Sequence, residues 1–261
     1  SVFFHSVGCC KHRTPLQVIP VTSPVQLGEG PHWDSESQTL FYVDINSNEI
    51  HRYCPRGGKE TTLQFSGFGN GVSFVIPVEG THSRQLLTSV GHDIMLVDWY
   101  HQNAHFCPSS QNVTIIASVE VDRKGNRWND GKADANGRLW AGTMGPIVEV
   151  GHIIPNRGTL FVLNSDSDVP LAVVSPISVS NGLAWNENNT LMYYIDYLPA
   201  GVDVFDFNLE SGTIANRRKI FDLREHGIEG FPDGMTIDNN GNLWVACYNG
   251  SQKYIYVDLL K

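Results

Sequence analysis

Residues 232–247 read PDGMTIDNNGNLWVAC, and residues 181–196 read NGLAWNENNTLMYYID. In both, an oxygen-bearing side chain (Asp233, Asn181) stands directly before a glycine that opens a strand. A turn rich in Asn, Asp and Gly follows, then Leu and an apolar run. The same order recurs in GEGPHWDSESQTLFYVD (28–44) and NDGKADANGRLWAGT (129–143), with Glu29-Gly30 and Asp130-Gly131 as the opening pairs. The Leu of each copy (Leu40, Leu139, Leu191, Leu243) follows its glycine by 10, 8, 9 and 9 residues. A weaker fifth copy opens at Gly71 in NGVSFVIPVEGTHSRQLLTSV.

From glycine to glycine the intervals are 41, 60, 51 and 52 residues. Short strands repeating at such intervals predict an all-β propeller, in which each four-stranded blade needs neighbours to cover both of its faces. The β-branched and aromatic runs TLFYVDI, QLLTSV, RLWAGTM, LMYYID, VDVFDF and NLWVACY supply the strands. The turns DSES, DANG, NENN and DNNG supply the Asx and left-handed chemistry of tight hairpins. A regular β-sandwich also spaces its turns evenly, but without the longer period found here. FDLREHG (221–227) is expected to form one helical turn. Five blade starts fit, and an open ring leaves sheet edges to water. We therefore expect a chain cut short of its last blade, with LQVIPV (16–21) as the alternative means of closure. Residues 1–15 are expected to be irregular and 16–261 to form the propeller domain.

The bulk composition narrows the partners. The chain has 261 residues and a net charge of −9, and it contains no dense Lys/Arg run, which argues against a nucleic-acid surface. No stretch approaches the ~18 apolar residues of a membrane helix. Five scattered cysteines without CxxC (Cys9, Cys10, Cys54, Cys107, Cys247) fit a free-thiol cytoplasmic protein better than a disulfide framework. Sequons at Asn112, Asn188 and Asn249 keep a secreted location as the alternative.

The innermost strand of each blade runs along the central channel, so the residue at its entrance points toward the axis. Glu29, Asn181 and Asp233 are thereby expected to converge from three blades. Two carboxylates and an amide oxygen, completed by water, suit one divalent cation: Ca²⁺ first, then Mg²⁺ or Mn²⁺. Zn²⁺ is less expected, because no His or Cys holds an equivalent position. Next to the same entrance, Arg127 offers a fork of donors to an oxygen-rich ligand, and Asn129 both donates and accepts. Asp130 caps the turn or joins them. NSDSDV (164–169) lacks the Gly and closing Glu of a calcium loop and reads as a surface turn. His32, between Pro31 and Trp33, reads as packed. HExxH, GxSxG and the Walker loop are absent.

GEGPHWD, RWNDGKAD-GRLWAGTM, SNGLAW, YYID and PDGMTID-GNLWVACYNG together resemble the SMP-30/gluconolactonase family from roughly Pro24 to Gly250. The resemblance implies a six-bladed propeller with one divalent cation in its channel, and lactone hydrolysis in many members. It implies Glu29, Asn181 and Asp233 as metal ligands, Arg127 and Asn129 as substrate-binding residues, and Asp233 as general base. A small lactone is the implied partner. Ile147 departs from the pattern: it stands where part of the family has an acidic substrate-contacting residue, and Glu149 lies two places on. The resemblance therefore carries no sugar-lactone preference. The same residues also fit a calcium-binding regulatory protein without turnover, or an enzyme acting on a cyclic luciferin product.

Overall fold

The computed structural model describes residues 19–67, 71–99, 105–106, 112–149, 152–250 and 254–257, the backbone alone at 105–106 and 254–257. The described residues contain strands, turns and no helix. The first sheet comprises β1 (Gly28–Asp34), β2 (Thr39–Asp44), β3 (Glu49–Cys54) and β4 (Lys59–Gln64). The second comprises β5 (Val72–Pro77), β6 (Gln85–Val90), β7 (Asp93–Asp98) and β9 (Val113–Ser118); the short β8 (His105–Phe106) pairs in parallel with β4. The third is built from β10 (Arg127–Ala133), β11 (Leu139–Met144), β14 (Gly158–Leu163) and β15 (Leu171–Ile177), with the small hairpin β12 (Ile147–Glu149) and β13 (His152–Ile153) inserted. The fourth contains β16 (Ser180–Trp185), β17 (Leu191–Asp196), β18 (Gly201–Asn208) and β19 (Thr213–Asp222). In the fifth, β20 (Phe231–Ile237), β21 (Leu243–Tyr248) and β22 (Tyr254–Val257) are described.

Apart from β8, every sheet is an antiparallel meander in chain order, as a propeller blade requires. The innermost strands pack side by side in the order β1, β5, β10, β16, β20. The repeated turns explain why each meander closes at the same point. Asp34, Asp134, Asn186 and Asp238 each accept two backbone N–H bonds from residues two to five places on. Asp134 and Asp238 also accept the indole N–H of Trp140 and Trp244, so the turn is tied to the strand that follows it.

Four apolar cores separate the five sheets. Phe41, Val43, Ile50 and Leu63 meet Val72, Leu86, Met95 and Trp99 between the first and second sheets. Phe74, Ile76 and Ile94 meet Trp128, Leu139 and Phe161 between the second and third. Trp140, Leu160 and Val162 meet Leu183, Met192, Tyr194 and Phe207 between the third and fourth. Tyr193, Ile195, Val202 and Val204 meet Leu243, Val245 and Cys247 between the fourth and fifth. Among the described residues no such cluster joins the fifth sheet to the first. A cavity of about 700 Å³ lies there and in the adjoining channel, lined by Gly28–His32 of β1 and Gly234–Asp238, Trp244 and Ala246 of the fifth sheet.

Two local expectations differ from the structure. FDLREHG continues β19 into a hydrogen-bonded turn, His226 N–H to Leu223 and Gly227 N–H to Arg224, without helix. Of LQVIPV, residues 19–21 are exposed and form no strand, and 16–18 lie outside the described residues, as does the segment 1–15. NSDSDV is a surface turn. Cys54 and Cys247 are free thiols, whereas Cys9, Cys10 and Cys107 lie outside the described residues.

Candidate functional site

Each innermost strand carries a β-bulge at the same place. Two residues face one of the neighbouring strand: Gly30 and Pro31 in β1, Ser73 and Phe74 in β5, Asn129 and Asp130 in β10, Asn181 and Gly182 in β16, Asp233 and Gly234 in β20. A bulge releases its residues from the ladder and re-aims their side chains, here at the hub.

The register corrects two of the four equivalences drawn from the repeat, those of Asp130 and Glu29. Asn129, and not Asp130, is the counterpart of Asn181 and Asp233; Asp130 takes the second bulge position, which is glycine in β16 and β20. Counted from Asp130, Leu139 follows at the interval of 9 found in those strands. Glu29 sits one place before its bulge, paired with Val43, and its longer side chain covers the difference. A Cβ added at Gly234 would lie 3.9 Å from Oε2 of Glu29, so that carboxylate has crossed to β20. Gly182 has a packing role: a Cβ there would come within 2.4 Å of Met235 Cβ, and glycine is what lets β16 and β20 approach.

Glu29, Arg127, Asn129, Asp130, Asn181 and Asp233 line one cavity of about 140 Å³, together with Ser73. All the candidate residues are thus brought together. Arg127 Nη1 donates to the Trp128 carbonyl at 2.8 Å and to Asn129 Oδ1 at 2.9 Å. Asn129 Nδ2 in turn donates to the Ser180 carbonyl at 2.8 Å and to Asn181 Oδ1 at 3.0 Å. This chain of donors fixes both amides and holds the Asn181 oxygen in the cavity. The Glu29 and Asp233 carboxyls are in side-chain hydrogen-bond contact.

Two carboxyls in hydrogen-bond contact cannot both ionise cheaply at low dielectric. Burial, then the charges of Asp233 and Asp130, hold Glu29 well above the usual carboxylate range. Burial pushes Asp233 up to about 6, against the Glu29 hydrogen bond and the Arg127 charge. Burial likewise raises Asp130 to about 6. Arg127, drawn down to about 10 by burial, stays cationic at neutral pH as the countercharge of Glu29 and Asp233. Lys132, itself lowered by burial, is the countercharge of Asp130. Three carboxyls against these two cations leave an excess of acid that a hard cation would relieve, and the donor set of two carboxylates and one amide oxygen fits such an ion. Among the described residues no group of three His, Cys, Asp or Glu is spaced to hold a metal, so cation binding here would need the Asn181 amide and water.

Apart from Ile147, which the resemblance put at a substrate-contacting position, sequence reasoning missed the remaining lining. Ser73 occupies the first bulge position of β5, hidden because the repeat was anchored at Gly71; its hydroxyl shares a 2.7 Å hydrogen bond with Ser89. The upper wall is formed by Leu27, Ile45, Met144, Ile147, Ile153, Val179, Tyr197 and Tyr248. His32 is part-buried in β1 and lines the larger cavity instead.

The sequence profile of the SMP-30/Gluconolactonase/LRE-like region matches residues 27–257. Regucalcin from Xenopus laevis is 34% identical over 235 residues, covering 89% of this chain and 72% of that protein. Human regucalcin is 35% identical, covering 86% of this chain and 69% of its own length. Among solved structures, a luciferin-regenerating enzyme superposes with a TM-score of 0.81 at 36% identity, covering 91% and 77% of the two chains. A calcium-binding regucalcin from Agrobacterium tumefaciens gives 0.72 at 24% identity, covering 86% and 68%, and supports the fold. With a profile match across most of its length and relatives above 30% identity, this chain belongs to the SMP-30/gluconolactonase/LRE-like family.

Proposed function

We propose that the protein is a divalent-metal-dependent hydrolase that opens a lactone or small cyclic ester. The observation that carries this reading is the hydrogen-bonded Glu29–Asp233 pair, which lines one cavity with the Asn181 amide oxygen although the three come from different sheets. Glu29, Asn181 and Asp233 would hold the cation, Ca²⁺ ahead of Zn²⁺, Mn²⁺ or Mg²⁺. When bound, such an ion supplies Lewis acidity toward an ester carbonyl and makes water a stronger acid.

The chain's own residues do the rest. Asp233 Oδ accepts a proton from the attacking water as its oxygen bonds to the acyl carbon. The ring C–O bond then breaks, and the same proton passes to the departing ring oxygen, leaving a hydroxy acid. Arg127 and Asn129, locked together by their hydrogen bond, orient the substrate's oxygens. The lack of an apolar cluster between the fifth and first sheets among the described residues supports reading residues 16–261 as part of a six-bladed ring, with a sixth sheet at that junction.

Asp233→Ala is expected to lower kcat/KM for lactones by more than ~100-fold and to remove cation binding measured by calorimetry. Unchanged hydrolysis in that variant removes the mechanism. A second reading, calcium binding without turnover, draws on the relatives named regucalcin; cation binding with no hydrolysis across a lactone panel would favour it. Cleavage of a cyclic luciferin product draws on the likeness to the luciferin-regenerating enzyme.

A further inference from the structure

The charged and amide side chains of the channel cavity form one cluster, the polar floor of the site. Arg127 and Asn129 are engaged with each other and with backbone carbonyls, and Asn181 is held by Asn129. Above them the wall is apolar, contributed by segments far apart in sequence: Leu27 and Ile45 beside the first sheet, Ile147 and Ile153 from the inserted hairpin, Tyr197 and Tyr248 from the fourth and fifth sheets. Ile147 is 58% exposed and Tyr248 48% exposed. Large apolar side chains left open around a polar floor mark a ligand surface more than a folding element. Tyr197 stacks on Phe231 with ring centroids 4.4 Å apart, which fixes the orientation of its ring.

The two parts of a ligand would meet different environments. A polyhydroxylated ring seated on the floor would bring its hydroxyls against Leu, Ile, Val and Met, where a hydroxyl loses its water without gaining a partner. Among the described residues lining the cavity, the side-chain oxygens outside the charged and amide cluster and Ser73 are the two tyrosine hydroxyls. An alkyl or aryl substituent there gains about 25 cal/mol for each Å² it removes from water. We propose that the site takes lactones or cyclic esters bearing an apolar aliphatic or aryl substituent, with the reacting ester group on the polar floor and the substituent against Ile147, Ile153 and Tyr248. The inference rests on the hydrolase reading for its reaction and on the lining for its ligand class.

Two readouts separate these dependencies. First, kcat/KM is compared for glucono-δ-lactone, unsubstituted δ-valerolactone and a 5-alkyl δ-lactone, with Ca²⁺ or Mn²⁺ present. Second, binding of the matching unreactive lactams is measured by calorimetry. The alkyl compound is expected to exceed the polyol at least about tenfold in both. Ile147→Glu is expected to erase most of that preference while leaving the melting temperature unchanged, because the side chain is exposed; Tyr248→Ser provides a second variant with the same expectation. Selective lactam binding without turnover of any lactone would sink the hydrolase reading and leave the ligand class standing. Equal or better binding of the polyol lactam, or a preference untouched by both variants, overturns the ligand class whatever is hydrolysed.

Discussion

Two aspartates in this molecule sit at two junctions between sheets, and their surroundings are opposite. Asp134, at the junction of the third and fourth sheets, has a fully buried side chain, yet every acceptor site is used. It takes the Arg138 guanidinium at 2.8 Å, the Trp140 indole at 3.0 Å and backbone N–H groups of Asn136 and Arg138. Arg138 continues to the Leu209 and Glu210 carbonyls of the next sheet, beside the Trp140–Trp185–Phe207 aromatic cluster. Asp233, at the junction of the fifth and first sheets, faces another carboxyl, and no apolar cluster backs it among the described residues. The first junction is satisfied by the chain's own groups; the second is arranged around three carboxyls that Arg127 and Lys132 neutralise only in part.

The sharpest break between the two is expected on truncating the satisfied aspartate. Asp134→Ala leaves Arg138 buried without its carboxylate and should cost about 3–5 kcal/mol in denaturant unfolding. A cost below ~1 kcal/mol would mean that the two junctions do not differ as described. Next in size is the pH response of the metal-free protein. Asp130 and Asp233 titrate at about 6 in the fold against an ordinary 3.8. The folded state therefore keeps protons that the unfolded chain has released, and the stability this provides is fully present below pH ~4 and lost as pH rises through ~6. It amounts to at most about 3 kcal/mol for each carboxyl. Thermal melts in a chelating buffer should fall over that window, and saturating Ca²⁺ should restore most of the loss at pH 7. A melting temperature that rises between pH 4 and 7 without metal refutes the assignment. The smallest effect sharpens the comparison at one residue: Asp130→Asn should raise metal-free stability at pH 7 by about 1–2 kcal/mol and flatten the slope. These outcomes together would make Asp134 a residue that folding needs and Asp130, beside Asp233 at the hub, one that opposes it.

The repeat was legible because its signals are local. Asp34, Asp134, Asn186 and Asp238 make their turns with residues two to five places away, and the apolar runs alternate within single strands. Glu29, Asn181 and Asp233 were legible for a related reason, since a residue at a strand entrance needs only the radial architecture to be placed. Asp130 was misplaced by one residue because Gly131 imitates the bulge glycine of the other copies. The interval of 8 rather than 9 to Leu139 was the available signal. Ser73 escaped because its copy has no carboxylate or amide to mark it. Of the apolar wall only Ile147 was legible, through the family pattern: Leu27, Ile153 and Tyr248 lie in segments with no common spacing, and only three-dimensional closure makes them neighbours.

The bulge shared by the five innermost strands has a consequence for how such a molecule can change. Its first residue contributes little to the pairing on either side, whereas the second takes part in packing between blades, as Phe74 and Gly182 do. Glycine, serine, asparagine and aspartate already occupy the first of those positions in a single chain, without disturbing the meander around them. The hub thus behaves as a rack of five interchangeable sockets, in which reactivity could be rewritten one amino acid at a time while the surrounding wheel stays intact.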